Sequence, residues 1–123
     1  MSENQVQWNA GTIIYNYDDK ADFAYLLIEG EVLVKSKNGK KVGFINKNEI
    51  FGEQSILLGT NRTVTAIASK NSSAVQIPKD KLIKEFKDTS ILIKAVLRST
   101  YLRLTNLDST IKNDLDSLEN FDK

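Results

Sequence analysis

Phe51-Gly52-Glu53-Gln54-Ser55-Ile56-Leu57-Leu58-Gly59-Thr60-Asn61-Arg62-Thr63-Val64-Thr65-Ala66 is the stretch on which the reading of this chain turns. Gly52 lets a backbone approach a ligand closely. Residues 54–58 are long enough for one helical turn, whose leading amides would face an anion. Arg62 supplies a planar, bidentate donor suited to phosphate oxygens, and Thr63 adds a hydroxyl beside it. Glu53, an acceptor only, suits a sugar hydroxyl and is unsuited to a phosphate. Donors for an anion and one carboxylate for a hydroxyl fit a ribose phosphate.

Outward from this loop, residues 6–78 punctuate as an all-β unit. Short β-prone runs fall at 12–15, 23–29, 31–37, 41–45, 63–69 and 74–77, separated by turn signals at the intervals of a sandwich or barrel. Asn38-Gly39, between Val32, Val34 and Val42, Phe44, predicts a tight type I′ hairpin with φ > 0 at both central residues. Gly30, between Ile28 and Val32, predicts a second tight turn. From Pro78 the period changes. Leu82, Ile83 and Phe86 mark a short amphipathic helix, and Asp88-Thr89-Ser90 offers capping side chains for the next. Leu97, Leu104, Ile111 and Leu118 recur every seven residues, with Tyr101, Leu107, Leu115 and Phe121 beside them. A helix over 90–120 would be about 46 Å long. It reads either as one helix packed on its own domain or as a coiled-coil-like dimer seam, imperfect at Asp108 and Asp114.

Composition narrows the function. The chain has 123 residues, 41% of them hydrophobic, enough for one domain with one core. It contains no cysteine and no histidine. Disulfides, thiolate nucleophiles and Cys-ligated zinc are thereby excluded, and so are the commonest metal ligand and general base. Seventeen basic and sixteen acidic residues leave a net charge of +1, no signature of nucleic-acid binding. No run approaches a membrane span, and residues 1–10 hold no signal-peptide core. The expectation is a soluble cytoplasmic protein that is not an enzyme, with no cofactor and no metal.

The quoted stretch resembles the phosphate-binding cassette of the cyclic nucleotide-binding domain family, Phe-Gly-Glu-x-Ala/Ser-Leu followed by Arg-Ala/Ser/Thr-Ala. The nine-residue spacing from Glu53 to Arg62 matches its usual form. Upstream, Ala10-Gly11-Thr12-Ile13-Ile14-Tyr15 resembles the opening strand, and Asp19, Ala21-Asp22, Tyr25, Ile28, Gly30 and Val32 fall on the family's landmarks. The resemblance covers about residues 6–86. Two family Gly-Asp turns are replaced by Asp18-Asp19 and Asn48-Glu49, and Asp and Asn are the non-glycine residues best able to hold φ > 0. Gln54 replaces an apolar residue, and Asn61 a frequent proline.

The fold implied is mainly β with C-terminal helices: a jelly-roll-like β-roll over 6–78, then a short helix and a long C-terminal helix over 79–121, one domain across 1–123. By resemblance, Arg62 would bind the exocyclic phosphate oxygens and Glu53 the ribose 2′-OH. Amides of Gly52 and Ser55 and the amide or hydroxyl of Thr63 would complete a pocket that Gln54 adjoins and Val64 flanks. Arg98, Tyr101 and Leu102 are candidates to cap the base. The ligand would be cAMP or cGMP, with cAMP favoured, and the C-terminal helix would act as lid and possible homodimer seam. The effector would be a separate protein, since the chain holds no DNA-binding segment; its start at Met1 favours a complete protein over a fragment.

Blander readings stand beside these. Glu53 and Arg62 could pair with each other in an empty roll that serves as a dimerisation or scaffold module. Lys35, Lys37, Lys40 and Lys41 read as a solvated hairpin edge before a nucleic-acid patch. Asp18, Asp19 and Asp22 lack the distal glutamate of a calcium loop. Trp8, Tyr15 and Phe23 read as core.

Overall fold

The computed structural model describes residues 4–105. The chain divides into two compact units, Met1–Glu85 and Phe86–Lys123.

The first unit begins with strands β1 (Gln5–Trp8), β2 (Ile13–Tyr15), β3 (Phe23–Glu29), β4 (Val32–Lys35), β5 (Lys41–Ile45) and β6 (Ile50–Phe51). Helix α1 (Glu53–Leu58) separates these from β7 (Thr65–Ala68) and β8 (Ser72–Pro78), and α2 (Lys79–Asp88) follows. Two four-stranded antiparallel sheets result, in the orders β1-β8-β3-β6 and β2-β7-β4-β5. This is the expected roll. Alternation along the strands sends one set of side chains inward, as a half-solvated sheet requires. Tyr25, Leu27, Val32, Phe51, Ala66 and Ala74 form the core, with Val6, Trp8, Ile14, Tyr15, Phe23 and Ile45 packed on it. Trp8 meets Tyr25 edge-on at 5.2 Å, and Tyr25 stacks on Phe51 at 5.3 Å; Trp8, Tyr15 and Phe23, read as core, all pack on this cluster. A smaller cluster of Ala21, Ala24 and Ile56 receives Ile77, Leu82 and Ile83, which explains the apolar face of α2.

Gly30 turns the chain from one sheet into the other, since β3 and β4 belong to different sheets. Its φ is +100°, and a Cβ there would lie 2.2 Å from Ser72 Oγ and 2.6 Å from the Asn71 carbonyl oxygen. No other residue fits. The predicted tight turn is present and forms a corner between the two sheets.

The Asn38-Gly39 hairpin joins β4 to β5, but its turn is not type I′. Of that pair only Gly39 has positive φ, +83°. Gly39 N–H donates to the Ser36 carbonyl (2.9 Å), Ser36 N–H to the Lys40 carbonyl (2.8 Å) and Lys40 N–H to Ser36 Oγ (3.2 Å). A β-turn followed by a left-handed glycine closes the loop, with a register shift between Val34 and Lys35. The two replaced glycines behave as their residue types allow: Asp18 has φ 73° and Asn48 φ 72°. Each turn is closed the same way. Asp19 N–H donates to the Asn16 carbonyl and Asn16 N–H to Asp19 Oδ2; Glu49 N–H donates to the Asn46 carbonyl and Asn46 N–H to Glu49 Oε1.

The second unit contains the end of α2 and α3 (Ile91–Thr105). Ser90 caps α3: its Oγ accepts from Ile93 N–H at 3.2 Å. Lys94 Nζ donates to the Lys87 carbonyl (3.1 Å) and lies 5.6 Å from the Phe86 ring centroid. Leu97 is on α3. The heptad positions Leu107, Ile111, Leu115, Leu118 and Phe121 lie outside the described residues.

Candidate functional site

The site is organised by Arg62. Its backbone is held by the Asp18-Asp19 turn: Arg62 N–H donates to the Asp19 carbonyl, and Asp18 N–H to the Arg62 carbonyl, both at 2.8 Å. The side chain is only 4% exposed. Nη1 donates to the Gly52 carbonyl at 2.6 Å, and Nη2 donates to the Phe23 carbonyl. The guanidinium carbon lies 3.9 Å from the centroid of the Tyr15 ring, a close cation–π contact. Nε is buried with no hydrogen-bond partner. The ion pairs Lys47–Glu29 and Lys81–Glu85 do not involve Arg62. Arg62 is thus a buried cation with no carboxylate in ion-pair contact among the described residues, an arrangement that is costly by itself.

Gly52 makes this packing feasible. It precedes α1 at φ 79°, ψ 3°. A Cβ there would sit 3.0 Å from Arg62 Nη1 and 3.4 Å from both Nη2 and the Phe23 carbonyl oxygen. Gly59 ends α1 in the same left-handed region, with its N–H on the Ile56 carbonyl and Thr60 N–H on that of Ser55.

Glu53 opens α1 half-buried. Burial pushes its carboxyl above the usual range, opposed by its own backbone N–H, the Arg62 charge and the Gln54 N–H. It does not pair with Arg62, so the reading in which the two charges neutralise each other in an empty roll is not the arrangement found. Burial also raises the Tyr15 phenol to about 12, and the neighbouring Arg62 charge only partly offsets it.

The other candidate residues spread around this centre. Ser55 is buried and lines a pocket of about 320 Å³ with Lys20, Asp22, Asn61 and Lys79. Gln54 and Thr63 are exposed, and Val64 is half-buried just before β7. Arg98, Tyr101 and Leu102 lie on α3 in the second unit. Two partners of Arg62 escaped sequence reasoning in this role. The Phe23 carbonyl carries no side-chain signal, and Tyr15 reads from the sequence as core. Asp18 and Asp19 hold a turn, and among the described residues no three metal-ligating side chains converge. No helix among them is long and apolar enough to cross a membrane.

A family model described as "Cyclic nucleotide-binding domain" matches residues 5–89. The cGMP-dependent protein kinase of Eimeria tenella is 35% identical over 72 residues, 58% of this chain and 7% of that protein. The neuropathy target esterase sws of Drosophila grimshawi is 29% identical over 73 residues, 56% of this chain and 5% of that protein. The chain thus matches only a small fraction of the length of these relatives. Among solved structures, the cAMP-bound form of the EAL enzyme Bd1971 aligns with a TM-score of 0.70 at 22% identity, covering 94% of this chain and 31% of that one. The cGMP-bound form of the same protein aligns at 0.72 and 21%. The matched family model describes a ligand-binding module.

Proposed function

The chain belongs to the cyclic nucleotide-binding domain family, and on that premise we propose that its roll binds a cyclic purine nucleotide, cAMP in preference to cGMP. It acts as a regulatory sensor domain. One observation supports this above the rest: Arg62 is a buried cation whose Nε has no partner and which forms no ion pair with a carboxylate among the described residues. A cyclic phosphate supplies the missing charge. In this reading Arg62 takes the exocyclic oxygens and Glu53 accepts from the ribose 2′-OH. Gly52, Gln54, Ser55 and Thr63 line the phosphate side, and Val64 flanks the base.

Binding would favour whichever conformation makes the additional ligand contacts, by their differential affinity alone. Output would leave the module through the C-terminal helix.

Isothermal titration of nucleotide-stripped protein with cAMP and with cGMP tests this. Arg62→Ala should weaken binding by about 2–5 kcal/mol. Because Arg62 also bonds two backbone carbonyls, Glu53→Gln provides a variant that leaves those bonds in place and should also bind more weakly. No heat with either nucleotide from folded, ligand-free protein, or a change below threefold in both variants, would refute the proposal. A cGMP affinity above that for cAMP would overturn the preference alone.

A further inference from the structure

The second sheet carries an apolar row on the face turned away from the core. Register defines it. Phe44 on β5 is opposite Leu33 on β4, Leu33 is opposite Ile67 on β7, and Ile67 is opposite Ile13 on β2. Directly paired residues share a face, so these four side chains cross the whole sheet, about 14 Å at the usual strand spacing. Their sequence neighbours Val32, Ala66 and Ala68 point the other way and are fully buried. Phe44 is 49% and Ile13 52% exposed, while Leu33 and Ile67 are half-buried. An alternating sheet with one solvated face normally places polar residues at such positions. Val42, two residues from Phe44 on the edge strand, is 59% exposed and widens the patch.

Charge flanks the row asymmetrically. Glu31 and Lys35 stand two residues either side of Leu33, on the same outward face. Lys35 is opposite Thr65 on β7 and faces the like charge of Lys41 on β5. Glu31 Oε1 accepts from Ser69 Oγ at 2.8 Å. Neither Glu31 nor Lys35 forms an ion pair among the described residues. Along β4 the face therefore reads negative, apolar, positive.

The geometry points to a second copy of this chain as the occupant of this face. A two-fold axis running along the row stacks Phe44, Leu33, Ile67 and Ile13 each on its own counterpart. The same rotation reverses the strand direction and sets Glu31 of one protomer opposite Lys35 of its partner, twice over. Isologous interfaces require this self-complementarity, and face-to-face sheets pack with their strands near alignment. A lipid surface fits less well, because an anionic membrane would be repelled by Glu31 along one side of the row.

Sedimentation equilibrium of the full chain, from micromolar to millimolar concentration, tests the pairing, with circular dichroism confirming that each variant is folded. The wild type should dimerise and Phe44→Asp should be monomeric. Glu31→Lys and Lys35→Glu should each weaken the dimer by about tenfold, since each converts two opposite-charge pairs into like-charge pairs. The double variant should restore the affinity to within about threefold of wild type by the same reasoning. A chain that stays monomeric throughout would overturn the inference. So would a double variant as weak as the singles, or a dimer that survives Phe44→Asp and is dissolved by Leu97→Asp, which would assign association to α3.

Discussion

Gly52→Ala should destabilise the protein by about 2–4 kcal/mol, and roughly half of that loss should pass through Arg62. At φ 79° and ψ 3° the backbone is left-handed, which costs an L side chain about 1–2 kcal/mol. The new Cβ would also lie 3.0 Å from Arg62 Nη1. Arg62 has little room to retreat, being 4% exposed and held between the Tyr15 ring and two carbonyls. Pushing the guanidinium aside weakens a charge-assisted bond worth about 1.5–3 kcal/mol, and partial loss adds about 1–2 kcal/mol. Gly39→Ala is the control, because its φ is +83° and a Cβ there would meet nothing within 4 Å. Urea denaturation, followed by the fluorescence of the single tryptophan, Trp8, would measure both. Gly52→Ala should lose about 1–2 kcal/mol more than Gly39→Ala, and the excess should vanish in an Arg62→Met background. Equal losses in the two glycine variants would refute the argument that Arg62 dictates the glycine.

Glu53→Gln should stabilise the unliganded protein at neutral pH while it weakens nucleotide binding. Burial raises the folded-state pKa of Glu53 above its ordinary value of 4.5. Between those two values the folded state keeps a proton that the unfolded chain has released, so stability falls as pH rises through that window. The variant should lack this slope in a series of urea melts; a wild type that instead gains stability relative to the variant from pH 4.5 upward would contradict the sign. Asn48→Gly should stabilise by about 0.5 kcal/mol by relieving a left-handed non-glycine residue. Asp18→Gly should gain less, because it also removes the carboxylate that accepts from Asn61 Nδ2 at 3.3 Å; a larger gain at Asp18 than at Asn48 would show that this contact is without effect.

Much of the roll was legible because its strands carry β-branched and aromatic residues between turn signals. Strands β3 and β5 fall at 23–29 and 41–45 as expected. The strands overlooked are the ones specified by distant partners. β6 is two residues long and exists through pairing with Tyr25 and Leu26. β1 alternates Gln5, Val6, Gln7, Trp8, a period-2 signal too short to stand without β8 beside it. The Asn38-Gly39 hairpin was found at its place with the wrong turn, because Ser36 accepts bonds through both its carbonyl and its hydroxyl and leaves only Gly39 to reverse its φ. At the site, residue type and spacing singled out Glu53 and Arg62. That they stand apart was not visible, because the acceptors that hold Arg62 are main-chain carbonyls, which every residue possesses.

The pairing of β1 with β8 has a consequence for how such a module can be housed. Gln5 lies opposite Val75, and Gln76 N–H donates to the Asn4 carbonyl at 2.7 Å. The polypeptide therefore enters and leaves the two-sheet body at one edge, with the two openings a single strand spacing apart. A host chain could be cut at a surface loop and receive this body without its own cut ends being drawn apart. The entropy of bridging the gap would be that of a short loop, whatever the size of the insert.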